Sequence, residues 1–219
     1  MGPDEREEAA DSAVLRAQLR HIYWIGGGSG AGKSTIARRI AAQHGLRVYS
    51  TDAVMPDHAD RSTPEEAPCL DGFKTMSMDE RWVNRSPETM LETFHWYRGE
   101  AFGLIVEDLL RLPAGTGVIT EGFRLLPHLV KPLLAEPGHA VWLLPTPEFR
   151  RAAFDRRGWQ IPHKTGNFEM ARHNLLERDR MFTDRLFEET KRLDLPVIEI
   201  DTTMNEDESA GLVMQAFGF

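Results

Sequence analysis

Eight consecutive residues, Gly27-Gly28-Ser29-Gly30-Ala31-Gly32-Lys33-Ser34, satisfy the spacing G-x-x-x-x-G-K-[ST] at every fixed position. Glycines let the backbone turn through positive φ, so that successive N–H groups converge on phosphate oxygens. A helix beginning near Lys33 adds the positive end of its dipole. The Lys33 ammonium can reach the β- and γ-phosphates of a nucleotide, and the Ser34 hydroxyl can coordinate Mg²⁺. Thr35 can help on the α-phosphate side. The flanks supply the context that a chance glycine cluster lacks. His21 to Ile25 is a short aromatic and β-branched run, and Lys33 to about His44 places Ile36, Ala37, Ile40 and Ala41 on one helical face. A nucleoside triphosphate site built from Gly28, Ser29, Gly30, Ala31, Gly32, Lys33, Ser34 and Thr35 is the expectation.

Two acids stand where a parallel sheet would bring them to that site. Asp52 follows a second strand, Leu46 to Ser50, and the carboxyl ends of neighbouring strands share one crevice. There a carboxylate can accept the proton of a substrate hydroxyl or position Mg²⁺; the plainer reading is a helix or turn cap. Glu121 ends a third strand in Val118-Ile119-Thr120-Glu121-Gly122, where it can serve the metal, the substrate or a helix cap.

The elements that must position these groups follow from patterning. An acidic helix is expected over 4–20. A weakly periodic stretch rich in Pro, Asp, Ser and Met runs to about Pro87, which starts a helix expected to reach about Leu112. Helix is predicted for Leu125 to Ala135, a fourth strand for Ala140 to Leu144, a long charged helix for about 168–193, a fifth strand for Pro196 to Ile200 and a last helix for about 206–217. Alternating strands and helices imply an α/β fold of three α/β/α layers, with a five-stranded parallel sheet covered on both faces. Residues 21–219 are predicted to form one domain.

The 219 residues carry 26 Lys plus Arg against 34 Asp plus Glu, a net charge of −8, which excludes sequence-independent coating of nucleic acid. All of it resides in residues 1–11 and 201–219, at −4 each. Within the neutral remainder, residues 52–108 hold 13 acids and 5 bases, and residues 150–192 hold 11 bases and 7 acids. The single cysteine, Cys69, excludes an internal disulfide framework, and no apolar run is long enough to span a membrane. A soluble cytoplasmic chain, monomeric or homodimeric, is expected.

In its loop, residues 27–35, and in its order of elements over about 21–217, the chain resembles the P-loop small-molecule kinases, the group of nucleoside and nucleotide kinases, shikimate kinase and chloramphenicol phosphotransferase. The resemblance implies ATP and Mg²⁺ as cofactors, with Ser34 and Glu121 at the metal. It implies that Asp52 contacts or activates the acceptor hydroxyl, and that Asp201 to Asn205, including Thr202, cradles adenine. It also implies a lid over 150–167 that supplies an arginine to the transferred phosphoryl group; Arg150 and Arg157 are the candidates, beside Arg151 and Arg156. The insertion 53–112 is expected to bind the small-molecule acceptor. Arg81 and Arg85 are its clustered bases, and with Asp52 and Glu121 they complete the expected acceptor contacts. An acidic, aromatic pocket of Asp57, Asp60, Trp82, Phe94, Trp96 and Tyr97 would suit a neutral or cationic hydroxyl compound. His58 and His95 lack partners at metal-ligand spacing. A nucleoside monophosphate kinase, a nucleotide-driven switch and a regulatory or toxin-like protein stay open as alternatives. Against the switch, the chain lacks Asn-Lys-x-Asp.

Overall fold

The computed structural model describes residues 12–219. Of the expected N-terminal helix, residues 12–18 are helical, and 1–11 lie outside the described residues. Five strands follow: β1 (Ile22–Gly27), β2 (Arg47–Ser50), β3 (Val118–Glu121), β4 (Ala140–Pro145) and β5 (Val197–Ile200). They form one parallel sheet in the order β2-β3-β1-β4-β5.

Period-two alternation divides the strand residues between two cores, as a sheet buried on both faces requires. Ile22, Trp24, Val118, Trp142 and Leu144 face one way, with α6 (Phe102–Leu110) and α9 (Phe168–Arg192) packed on them through Ile105, Leu109, Phe182 and Leu186. Ile25, Ile119, Val141, Leu143 and Ile200 face the other way. They meet Ile36, Ala37 and Ile40 of α1 (Lys33–His44) and Ala210, Val213 and Phe217 of α10 (Glu206–Phe217).

Between β2 and β3 the weakly periodic stretch folds as short helices: α2 (Met55–Arg61), α3 (Pro68–Thr75), α4 (Met78–Trp82) and α5 (Pro87–Thr93). The single helix expected from Pro87 to Leu112 is broken. Phe94 is extended, His95–Arg98 forms a 3-10 turn, and Gly99 and Ala101 both take left-handed backbone before α6 begins. The break buries His95, Trp96 and Tyr97 together, which a continuous helix would spread around its circumference. The helix expected over 125–135 is likewise reduced to α7 (Pro127–Val130) and a 3-10 turn at Lys131–Leu133: Pro127 starts a helix, and Pro132 removes an N–H donor that a continuous one would need.

The insertion is fastened both within itself and from outside. Both Glu100 carboxylate oxygens accept from the N–H groups of Cys69 and Leu70, at 3.0 and 2.9 Å, capping α3. Asn174 of α9 places its amide nitrogen 3.1–3.2 Å from the carbonyls of Trp82, Val83 and Arg85. After β4 comes α8 (Pro147–Arg157), which Thr146 caps and which ends at Gly158 in left-handed conformation. The N–H of Gly166 then donates to Asp79 of α4 at 2.7 Å, so the segment from 158 to 166 is tied down at its far end. No helix among the described residues is long and apolar enough to cross a membrane.

Trp142 joins the sheet to the loop after β3, its indole N–H donating to the Leu125 carbonyl at 2.9 Å in the fully buried core. Trp142→Phe strands that carbonyl and opens a gap. We expect a loss of about 1–3 kcal/mol in urea unfolding; an unchanged midpoint and slope would show that the bond contributes nothing.

Candidate active site

The turn after β1 is possible only with glycine. Gly27 has φ 125°, and a Cβ on it would stand 2.0 Å from the Leu143 carbonyl oxygen of β4. The chain then loops through Gly28–Gly32 into α1. Lys33, 7% exposed, donates from Nζ to the Gly28 carbonyl at 2.7 Å. Burial pushes this ammonium below the usual lysine range, while the nearby carboxylates of Asp52 and Glu121 pull it back up and Arg157 opposes them.

Register brings the acids to the same edge. Glu121 lies beside Ile25 of β1 and Ser50 of β2. Its carboxylate accepts from Ser34 Oγ at 3.1 Å and from Ser50 Oγ at 2.5 Å. Gly122, φ 147°, lets the next residues close in: a Cβ there would stand 1.8 Å from Thr51 Oγ1 and 3.2 Å from Asp52 Oδ1. Burial drives the Asp52 carboxyl above its ordinary value, Lys33 draws it down, and Glu121 raises it. The Ser34 hydroxyl and the Glu121 carboxylate are hard oxygen donors at a phosphate cradle, a set that suits Mg²⁺. Among the described residues there is no cluster of three or more His, Cys, Asp or Glu able to hold a metal alone. This fits an ion that keeps waters and takes oxygens from phosphate.

Two cavities meet at the loop. The larger, about 590 Å³, is lined by Ser29–Ser34, Asp52, Arg157, and a wall that includes Phe73, Trp82, Phe94–Tyr97, Phe123, Trp159, Arg178 and Asp179. The smaller, about 420 Å³, is lined by Thr35, Ile36, Phe149, Ile200, Met204, Asn205 and Ser209. Only Gly30, Ala31, Gly32 and Arg157 line both.

Most of the loop residues and Asp52 thus come together as expected. Gly28 lines neither cavity and contributes its carbonyl to Lys33. Several expectations are corrected. Arg150, 1% exposed, lines neither cavity. It lies behind the loop, donating to the Ser29 carbonyl at 3.4 Å and to the Thr183 hydroxyl, whereas Arg157 lines both cavities and Arg156 the smaller one. Arg81 and Arg85, expected at the acceptor, line neither cavity. Arg81 donates to the Phe73 and Lys74 carbonyls, and Arg85 to Met76 Sδ, the Thr89 carbonyl and Thr93, all within the insertion. Asp57 and Asp60 are exposed and line no part of the cavity; Asp57 pairs with Arg61 instead. Glu121 accepts from Ser34 and lines neither cavity, and Thr202 is exposed, while Met204 and Asn205 from the same loop line the smaller cavity.

Other residues went unassigned on sequence. Asp179, 1% exposed, accepts on Oδ1 from the Tyr97 hydroxyl at 2.9 Å and from Arg178 Nε and Nη2 at 2.9 and 2.6 Å. Its carbonyl accepts from Thr183, which in turn meets Arg150 behind the loop. Arg124 stacks its guanidinium 4.0 Å from the Trp96 ring centre and donates to the Thr51 carbonyl at 3.3 Å, bracing the turn that carries Asp52; burial pushes it down to about 10. His95 lines the larger cavity with Nδ1 unpaired, and burial among Arg124, Arg178, Arg81 and Lys74 drops it to about 3, so the ring is neutral at pH 7.

The deoxyadenosine kinase of M. mycoides, in a structure with the products dCMP and a flexible dCDP bound, superimposes with a TM-score of 0.51 at 14% identity, covering 90% of this chain and 98% of that one. This is a three-layer α/β/α P-loop fold. A gluconokinase from Sinorhizobium meliloti gives a TM-score of 0.39 at 18% identity, with 90% of each chain covered. In sequence, the 2-phosphoglycerate kinase of Methanocaldococcus jannaschii is 28% identical over 192 residues, which take in 81% of this chain and 58% of that protein. The chain therefore spans about three-fifths of that relative's length. No family model matches the chain.

A carboxyl raised by burial opposes folding once it ionises. Its destabilising effect is absent below the unfolded-state value of about 3.8 and complete above the raised folded value. Asp52→Asn should therefore raise the melting temperature at pH 7, with the gain shrinking as pH falls toward 4. A gain that is independent of pH would contradict the burial account.

Proposed function

We propose that the protein is an ATP- and Mg²⁺-dependent kinase that transfers the γ-phosphoryl group to a hydroxyl of a small molecule. The observation that carries this reading is one phosphate loop set between two cavities, with Lys33 and Asp52 facing the larger and Arg157 lining both. The smaller cavity suits a nucleotide base: Ile36, Phe149, Ile200 and Met204 offer apolar surface, and the Asn205 region supplies polar edges. The relatives' names agree on kinase and disagree on the acceptor.

In the proposed reaction the acceptor hydroxyl lies in the larger cavity against Asp52. Its oxygen attacks the γ-phosphorus as its proton passes to the Asp52 carboxylate. The bond from the γ-phosphorus to the β–γ bridging oxygen breaks, and the electron pair leaves with ADP. Lys33, the loop N–H groups and Arg157 stabilise the charge spread over the phosphoryl oxygens. Ser34 and Glu121 would hold Mg²⁺, which supplies charge neutralisation on the phosphates. Trp159, Ile161 and Pro162 roof the cavity and exclude water, a competing acceptor. With Arg81 and Arg85 engaged inside the insertion, the pair of arginines that a nucleoside monophosphate acceptor would need is not available from them.

Coupled ADP release with a panel of acceptors tests the reading. ATP consumption should depend on added acceptor, and Lys33→Ala should abolish it; acceptor-dependent turnover surviving in that variant would overturn the reading. Asp52→Asn should lower kcat by at least about 10²-fold with ATP binding retained. Because Asp52 must be ionised to act, and its carboxyl lies above the ordinary value, kcat/KM should fall on the acid side at a pH above 3.8. A flat acid limb, or wild-type turnover in Asp52→Asn, would remove Asp52 as the base.

A further inference from the structure

The wall of the larger cavity away from the phosphate loop carries a hydrogen-bond donor that the protein itself does not use. Arg178, 5% exposed, directs Nε and Nη2 at Asp179, and its guanidinium packs 4.7 Å from the ring centre of Phe94 and 5.1 Å from those of Trp82 and Tyr97. Among the described residues Nη1 is buried without a partner. All five of these residues line the cavity. A buried guanidinium N–H left unpaired is costly, and such groups in folded proteins call for an explanation. Asp179 spends the same Oδ1 on the Tyr97 hydroxyl as well.

We propose that Arg178 Nη1 selects the acceptor, and that the acceptor is an uncharged alcohol built on a flat ring bearing a carbonyl-type oxygen. The ring packs in the aromatic cage and its oxygen accepts from Nη1. The inference rests on the kinase reading above and adds the acceptor class to it. The cage decides the ring: Phe73, Trp82, Phe94, Trp96 and Phe123, with Trp159 from the roof, offer π faces where an acyclic polyol would leave its hydroxyls unpaired. Charge decides neutrality. Lys33 and Arg157 stand at the phosphate end, and the charge of Arg178 is balanced by Asp179. An anionic acceptor would therefore meet the carboxylates of Asp52 and Asp179 with no unbalanced cation among the residues of this wall.

The test is acceptor-dependent ADP release with three sets of probes. The first holds thymidine, uridine and hydroxymethyl-pyridones, each pyridone paired with the hydroxymethyl-pyridine that lacks the ring carbonyl. The second holds glycerol and gluconate, and the third glycerate and 2-phosphoglycerate. Turnover should be confined to the first set, with each pyridone favoured over its pyridine partner. Arg178→Lys should lower kcat/KM roughly 10- to 100-fold for ring-carbonyl acceptors and less than about twofold for the matched pyridines, with KM for ATP unchanged. That difference is one a structural role would not produce. A thermal melt shows whether Arg178→Lys folds. Trp159→Ala, on the roof and outside the core, should raise KM for the ring alcohols independently. Turnover confined to the second or third set, or equal losses on both members of each pair, overturns the inference and leaves the kinase reading intact. No acceptor-dependent release from any set overturns the kinase reading and the inference with it.

Discussion

A lysine ammonium buried at the carboxyl edge of five parallel strands is the interaction around which the rest of the molecule is arranged. Desolvation disfavours its charge, and carboxylates held close by favour it. Parallel topology provides them cheaply: β2 and β3 end on Ser50 and Glu121 at matched register, and Asp52 follows one turn later. Those carboxylates need spacing of their own. Glu121 is held by two serine hydroxyls, and Asp52 by a turn that Gly122 allows to close and Arg124 braces from behind.

The two glycines with the tightest surroundings explain why so much rigidity lies at one edge. Side chains at Gly27 or Gly122 would collide with backbone or with Thr51, so the close approach of β1 to β4 and of β3 to the Asp52 turn is fixed by what these residues lack. Behind the loop, Arg150, Thr183 and Asp179 continue the same framework into α9, and through Tyr97 and Arg178 it reaches the opposite wall of the larger cavity.

What was legible in the sequence was local. The loop, its flanking strand and helix, Asp52 and Glu121 are each encoded within a few residues, where spacing alone states the geometry. The far wall of the larger cavity was not legible, because it is assembled from α3, α4, the break after α5, Phe123, the roof after Gly158 and α9, and no spacing relates Trp82 to Arg178. Adjacency also misled. Arg81 and Arg85 flank an aromatic residue in the chain, yet each turns to carbonyls of its own insertion. Arg150 and Arg157 lie two turns apart on one helix, and only burial separates the brace from the residue at the cradle. The acid-rich composition of 52–108 likewise misled: Asp57 and Asp60 face solvent, and of its acids Asp52 is the one that lines the cavity.

The two cavities share only three loop residues and one arginine. Away from the loop, the larger cavity is lined mostly by the insertion, the roof and α9, with Phe123 and Phe154 added, while the other cavity draws on α1, α8 and the connection from β5 to α10. A lineage of such proteins can therefore retool the wall by substituting or lengthening the insertion without touching the sheet edge that holds the lysine.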